Sequence, residues 1–242
     1  MNEHKFEKQK FLRSLWFGLF YVILLFLIKS IETIFSLNLT RFGIFPLELK
    51  GLPGILFAPL IHGNWEHLLN NSVPLLVLTV TLFYFYREIA YKVFFLVYFI
   101  HGFWLWFFAR DAYHIGASGI IYGLGTFLFV SGLIRKNSHL LAISLLVVFL
   151  YGSMVWGIFP RIEAISWEGH LTGLASGILL AFFYKQYGPA PNIGRWKNEP
   201  TDDTNSIPDT DDTYWNMVEK RTEEERTSQN DSERWTNSHF NE

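Results

Sequence analysis

Long apolar runs, closely spaced between Phe11 and Tyr187, constrain this chain more than any other feature. A helix needs ~20 mostly apolar residues to cross a hydrocarbon core. Six segments approach or meet that length: 14–36, 67–86, 90–109, 117–133, 140–159 and 169–184. The breaks are polar or charged, as at Arg87-Glu88, Arg110-Asp111, Arg135-Lys136-Asn137 and 160–168. Aromatic content supports the reading, because most of the 24 Phe and 11 Tyr fall in these runs. The expected fold class is an all-α membrane protein, a bundle of six transmembrane helices in a lipid bilayer. The linker 37–66 is rich in Gly and Pro and has room for a re-entrant or interfacial segment.

Three regions follow. Residues 1–13 form a basic N-terminus, 14–187 the six-helix domain, and 188–242 an acidic tail expected to be disordered. Lys5, Lys8, Lys10 and Arg13 precede the first run like a signal-peptide n-region, but no Ala-x-Ala site follows, so the run is read as a retained span. With the N-terminus inside, Lys and Arg residues fall more on the inner segments than on the outer ones. That bias places both termini in the cytoplasm. The expected location is the plasma membrane. A net charge of -2 points to no nucleic-acid partner, and the absence of Cys removes thiol nucleophiles and thiolate metal sites.

In that topology spans two, four and six run in the same direction, so their N-terminal ends share one side. Span two begins near His62, His67 and Asn71, span four with Gly116-Ala-Ser118-Gly119, and span six with Gly169-His170 and Gly173. Polar side chains at membrane depth usually face a protein interior or water. Acyl transfer needs a nucleophile, a base and donors for an oxyanion. Ser118 can supply the hydroxyl and His170 can accept its proton. Asn71 and His67, four apart, share a helical face and offer donors, as do the free N–H groups at the start of span four. Tyr122 lies one turn after Ser118 and can pack on the His170 ring. Gly116 and Gly119 permit close approach, and Gly169, Gly173 and Gly177 form a small-residue stripe for helix packing.

Other readings exist for each residue. Alone, Ser118 could be a small packing residue, and Asn71 or His67 a structural donor. His62 reads as loop support. His101 has no evident partner and His114 reads as solvated. Lys29 and Glu32 read as an interfacial pair, and Glu168 as a solvated loop acid. No His-Glu-x-x-His is present, and neither a metal nor a cofactor is expected.

Together, the motifs His-x4-His-x3-Asn (His62, His67, Asn71), Gly-x-Ser-Gly (Gly116, Ser118, Gly119) and His-x2-Gly (His170, Gly173) resemble the rhomboid family of intramembrane serine proteases. The resemblance covers about residues 10–187. It implies a Ser118–His170 dyad, an oxyanion site of Asn71, His67 and the Ser118 N–H, and transmembrane proteins as substrates. It also implies a substrate gate around span five and the loop 156–167. The alternative is a non-catalytic rhomboid-like protein that binds or escorts membrane clients.

Overall fold

Each of the six apolar segments carries a helix in the computed structural model, which describes residues 3–150, 157–160 and 165–192. The helices are α1 (Glu3–Ile34), α2 (Gly54–Phe57), α3 (Trp65–Phe85), α4 (Ala90–Phe108), α5 (Ser118–Arg135), α6 (Ser138–Leu150) and α7 (Trp167–Phe183). Among the described residues the architecture is all-helical. The only β pairing there is an isolated bridge between Ile44 and His114. Four of these helices are long and apolar enough to cross a membrane: Lys5–Ile34, Trp65–Phe85, Ala90–Phe108 and Ser118–Arg135. The α6 and α7 helices are shorter, at 13 and 17 residues. The acidic tail lies outside the described residues from 193 onward, as do residues 156 and 161–164 of the segment expected to form a gate.

The α1 helix starts well before its apolar run. Lys and Glu are good helix formers, so the charged N-terminus continues the helix for several turns. These turns are tied down, with Lys10 Nζ 4.0 Å from the Tyr84 ring centroid and Glu7 accepting from the Tyr84 hydroxyl. At the other end of α1, Lys29 reaches the carbonyls just before α3. The two helices therefore pack antiparallel. One face of α1 buries Tyr21 and Leu25, while Trp16, Phe20, Ile23 and Leu27 are exposed. In lipid such a face is matched to its solvent, since acyl chains are as apolar as Leu.

The linker before α3 is folded into short helical turns, at Thr40–Phe42, Leu49–Gly51, Gly54–Phe57 and Ala58–Leu60. Of these, Gly54–Phe57 lies on α4, where Gly102 leaves room for Ile55. The Leu47 N–H donates to the Trp106 carbonyl at 3.0 Å, and Trp106 Nε1 donates to the Glu48 carbonyl at 3.1 Å. The Gly116 N–H donates to the Ala58 carbonyl at 2.9 Å, which joins the linker to the serine motif. Irregular backbone at membrane depth is tolerated only where its polar groups are satisfied in this way.

The α7 helix packs chiefly on α5 and α4. The contact with α5 is backbone to backbone. A Cβ on Gly173 would stand 2.1 Å from the Gly119 carbonyl oxygen, and one on Gly177 would stand 2.3 Å from that of Gly123. No rotamer change relieves a clash with a carbonyl, so the helices would have to separate. Gly173→Ala should therefore destabilise the fold by about 1–3 kcal/mol, the usual range for overpacking. Gly125→Ala is the control, because its Cβ would meet nothing nearer than Leu78 Cδ1 at 3.7 Å. Denaturant unfolding in detergent should show a loss for the first variant and no loss for the second.

Candidate active site

The close approach of α7 to α5 sets the position of two side chains. Ser118 is the first residue of α5, one before Gly119. His170 lies in the first turn of α7, three before Gly173. Their side chains meet, with Ser118 Oγ 2.9 Å from His170 Nε2. The other ring nitrogen, Nδ1, is 2.8 Å from the Gly157 carbonyl oxygen. A carbonyl can only accept, so Nδ1 carries the proton and Nε2 presents a lone pair. The Ser118 hydroxyl then donates to Nε2. The Tyr122 ring stacks on the imidazole with centroids 4.2 Å apart and planes 12° apart. His170 is thus fixed by a carbonyl at one edge and by an aromatic ring on one face.

Gly157 was not singled out in the sequence. A Cβ there would lie 2.4 Å from the Tyr122 hydroxyl oxygen and 2.8 Å from His170 Nδ1. A single Gly in an apolar run gives no sign of this, and only the tertiary approach identifies it.

The α3 helix supplies a second wall. Asn64 caps its N-terminus, accepting from the His67 N–H at 2.7 Å. Gly116 has φ +107°, a left-handed conformation that favours glycine. Its missing Cβ also makes room, since one there would be 2.8 Å from His67 Cε1 and Nε2 and 3.6 Å from Asn71 Nδ2. His67 and Asn71 therefore border the loop that leads into Ser118. Asn71 is buried and its Nδ2 has no partner among the described residues, whereas Asn70 is exposed. The His62 ring stands against that of His67, with centroids 5.0 Å apart. Its Nε2 lies 3.5 Å from the Ala117 nitrogen. The first N–H groups of α5 have no intrahelical acceptor, as at any helix start, and no side chain caps them. A small cavity reaches these groups, lined by Ser118, Gly119, His101, His114 and Pro59 among others.

Comparison with known proteins fits this arrangement. A family model described as the Rhomboid domain matches residues 50–187. The chain belongs to the rhomboid family. Uncharacterized proteins of Mycobacterium tuberculosis and Mycobacterium bovis are each 36% identical over 173 residues, covering 67% of this chain and 71% of theirs. One from Mycobacterium leprae is 34% identical over 172 residues, covering 67% and 68%. The rhomboid domain and the apolar helices together make this an integral membrane protein.

Around the rhomboid motifs, several polar residues differ from expectation. His101 has a partner: its Nδ1 is 3.0 Å from Thr172 Oγ1, and the Thr172 hydroxyl also donates to the Gly169 carbonyl. His101 packs where Gly119 lacks a side chain. His114 is buried rather than solvated, with Nδ1 2.7 Å from Ser166 Oγ and Nε2 3.1 Å from the Arg110 carbonyl. Glu168 is buried too, and Arg110 NH1 bonds both its oxygens at 3.2 and 3.3 Å. These contacts tie the loop before α5 to the start of α7. Thr172, Ser166 and Arg110 reach His101, His114 and Glu168 from distant segments, so local sequence gave no signal of burial. Among the described residues no three His, Asp or Glu gather as metal ligands would.

The loop histidines carry a pH signature. Burial, with His67 close by, drives the His62 imidazole down from 6.5 to about 3. Burial also lowers His114, against the raising effect of its bond to the Arg110 carbonyl. The unfolded chain takes up these protons near 6.5, whereas the folded chain holds the sites neutral to lower pH. Protons therefore favour the unfolded state, and stability should fall as pH drops from 6.5 toward about 3. Melting midpoints in detergent should decline over that window, and His62→Asn should make the decline shallower.

Proposed function

We propose that this rhomboid-family protein is an intramembrane serine endopeptidase that cleaves transmembrane segments of other membrane proteins. One observation carries the reading: the 2.9 Å contact of Ser118 Oγ with the unprotonated edge of a His170 ring held by Gly157 and Tyr122. Ser118 attacks the scissile carbonyl carbon while His170 Nε2 takes its proton. The carbonyl oxygen becomes an anion, stabilised by the Ser118 N–H and by Asn71 and His67. The unpartnered Asn71 Nδ2 supports this role, since a buried amide without an acceptor is poised for one that forms later. His170 then protonates the leaving amine, and water attacking the acyl-enzyme returns Ser118. The Gly157 carbonyl does the orienting that an Asp does in a triad, fixing the tautomer without adding a charge.

The reading includes six spans formed by α1, α3, α4, α5, α6 and α7, with both termini cytoplasmic and the site toward the outer face of the plasma membrane. The domain then covers 14–187, between a cytoplasmic N-terminus of 1–13 and a cytoplasmic tail of 188–242. Substrates reach the site sideways from the bilayer. Helix-breaking residues favour cleavage, because a regular helix hides its carbonyls.

Ser118→Ala should abolish cleavage of a model transmembrane substrate in liposomes while leaving the melting midpoint within a few degrees. Fluorophosphonate should label Ser118 in the wild type and should not label His170→Ala appreciably. A wild type that neither cleaves nor labels would favour a non-catalytic role in binding or escorting membrane clients.

A further inference from the structure

Lys29 and Glu32 lie near the C-terminal end of α1, and both are buried. The ammonium has three donors and three acceptors: Glu32 Oε2 at 2.8 Å, the His62 carbonyl at 3.0 Å and the Gly63 carbonyl at 3.2 Å. The other carboxylate oxygen, Oε1, accepts from the Leu39 N–H at 3.3 Å. A buried ion pair is a weak source of net stability, since desolvation opposes its Coulomb attraction. What it does supply is geometry, because the bonds hold one short stretch of backbone.

That stretch leads directly into the α3 wall of the Ser118 site. Gly63 precedes Asn64, the cap that fixes the His67 N–H. His62 places its ring against His67 and its Nε2 near the Ala117 nitrogen, and His67 in turn packs on Gly116. We infer that Lys29, neutralised by Glu32, is a positioning residue that fixes the His62–Gly63 carbonyls and thereby sets His67 and Asn71 against the Ser118 loop. The inference rests on the protease reading above. Lys29 does not touch the reacting atoms. Its effect reaches the oxyanion side of the site and not the Ser118–His170 contact, which depends on α5 and α7.

A double variant, Lys29→Met with Glu32→Gln, removes both charges and keeps their shapes, so no unpaired ion remains buried. The Gln carbonyl can still accept from Leu39. Cleavage of a model transmembrane substrate by the full chain in liposomes should show kcat reduced about tenfold to a hundredfold, less than the ~10²–10³ lost when an oxyanion donor is removed outright. KM should change little. Lys29→Arg keeps a cation facing the two carbonyls and should recover most of kcat.

An unchanged kcat in the double variant would overturn the inference, as would a rise in KM alone. If the double variant fails to fold, Lys29→Arg and Lys29→Gln decide instead: equal kcat in these two would overturn it, and a lower value for Gln supports it. A wild type that neither cleaves nor is labelled by fluorophosphonate would overturn the protease reading itself. An active wild type matched by the double variant overturns only the role of Lys29.

Discussion

Contact between the backbones of α5 and α7 is the constraint on which the rest of the site depends. The Gly119 carbonyl occupies the space that a Gly173 side chain would fill. Ser118 and His170 sit one and three residues from that point, so their separation is determined by the packing of two helices rather than by a loop. Lipid gives helices no hydrophobic reason to associate, and close packing of small residues supplies the attraction instead. The interaction that holds the bundle together is thus the same one that brings the hydroxyl to the imidazole.

Low dielectric explains why the polar residues nearby are paired. His101 with Thr172, His114 with Ser166, and Glu168 with Arg110 each satisfy a group that burial would otherwise penalise. Asn71 Nδ2 and His62 Nδ1 are exceptions, each buried with no partner among the described residues. On the proposed reading, the unpartnered Asn71 amide is available to an oxyanion once substrate arrives. His170 Nδ1 is held by a neutral carbonyl.

Much of this was legible in the sequence. The apolar runs marked the helices, and the three motifs marked the residues that stand at the N-terminal ends of α3, α5 and α7. Spacing alone brought Tyr122 to the face of Ser118, where its ring stacks on His170. Less was legible where a property arises from residues far apart in the chain. Glu168 and His114 read as solvated because each falls in a polar break between apolar runs, and their burial comes from Arg110 and Ser166. His101 lacked a visible partner because Thr172 is on another helix. Gly157 carried no signal, since its contribution is a carbonyl that every residue possesses and a side chain that it lacks.

The two sides of the site are held by different means. Ser118 and His170 are set by helix packing, through glycines that admit no alternative spacing. The α3 side is set by a chain of polar contacts from Lys29 through His62 and Asn64 to His67. A packed backbone contact has one arrangement, whereas a hydrogen-bonded chain can lose one link and keep the others. On the proposed reading, the Ser118–His170 pair should therefore be insensitive to changes in α1 and the linker, while stabilisation of the oxyanion should follow them. The α1 helix, which touches neither Ser118 nor His170, then acts on the chemistry through the one side of the site where geometry is adjustable.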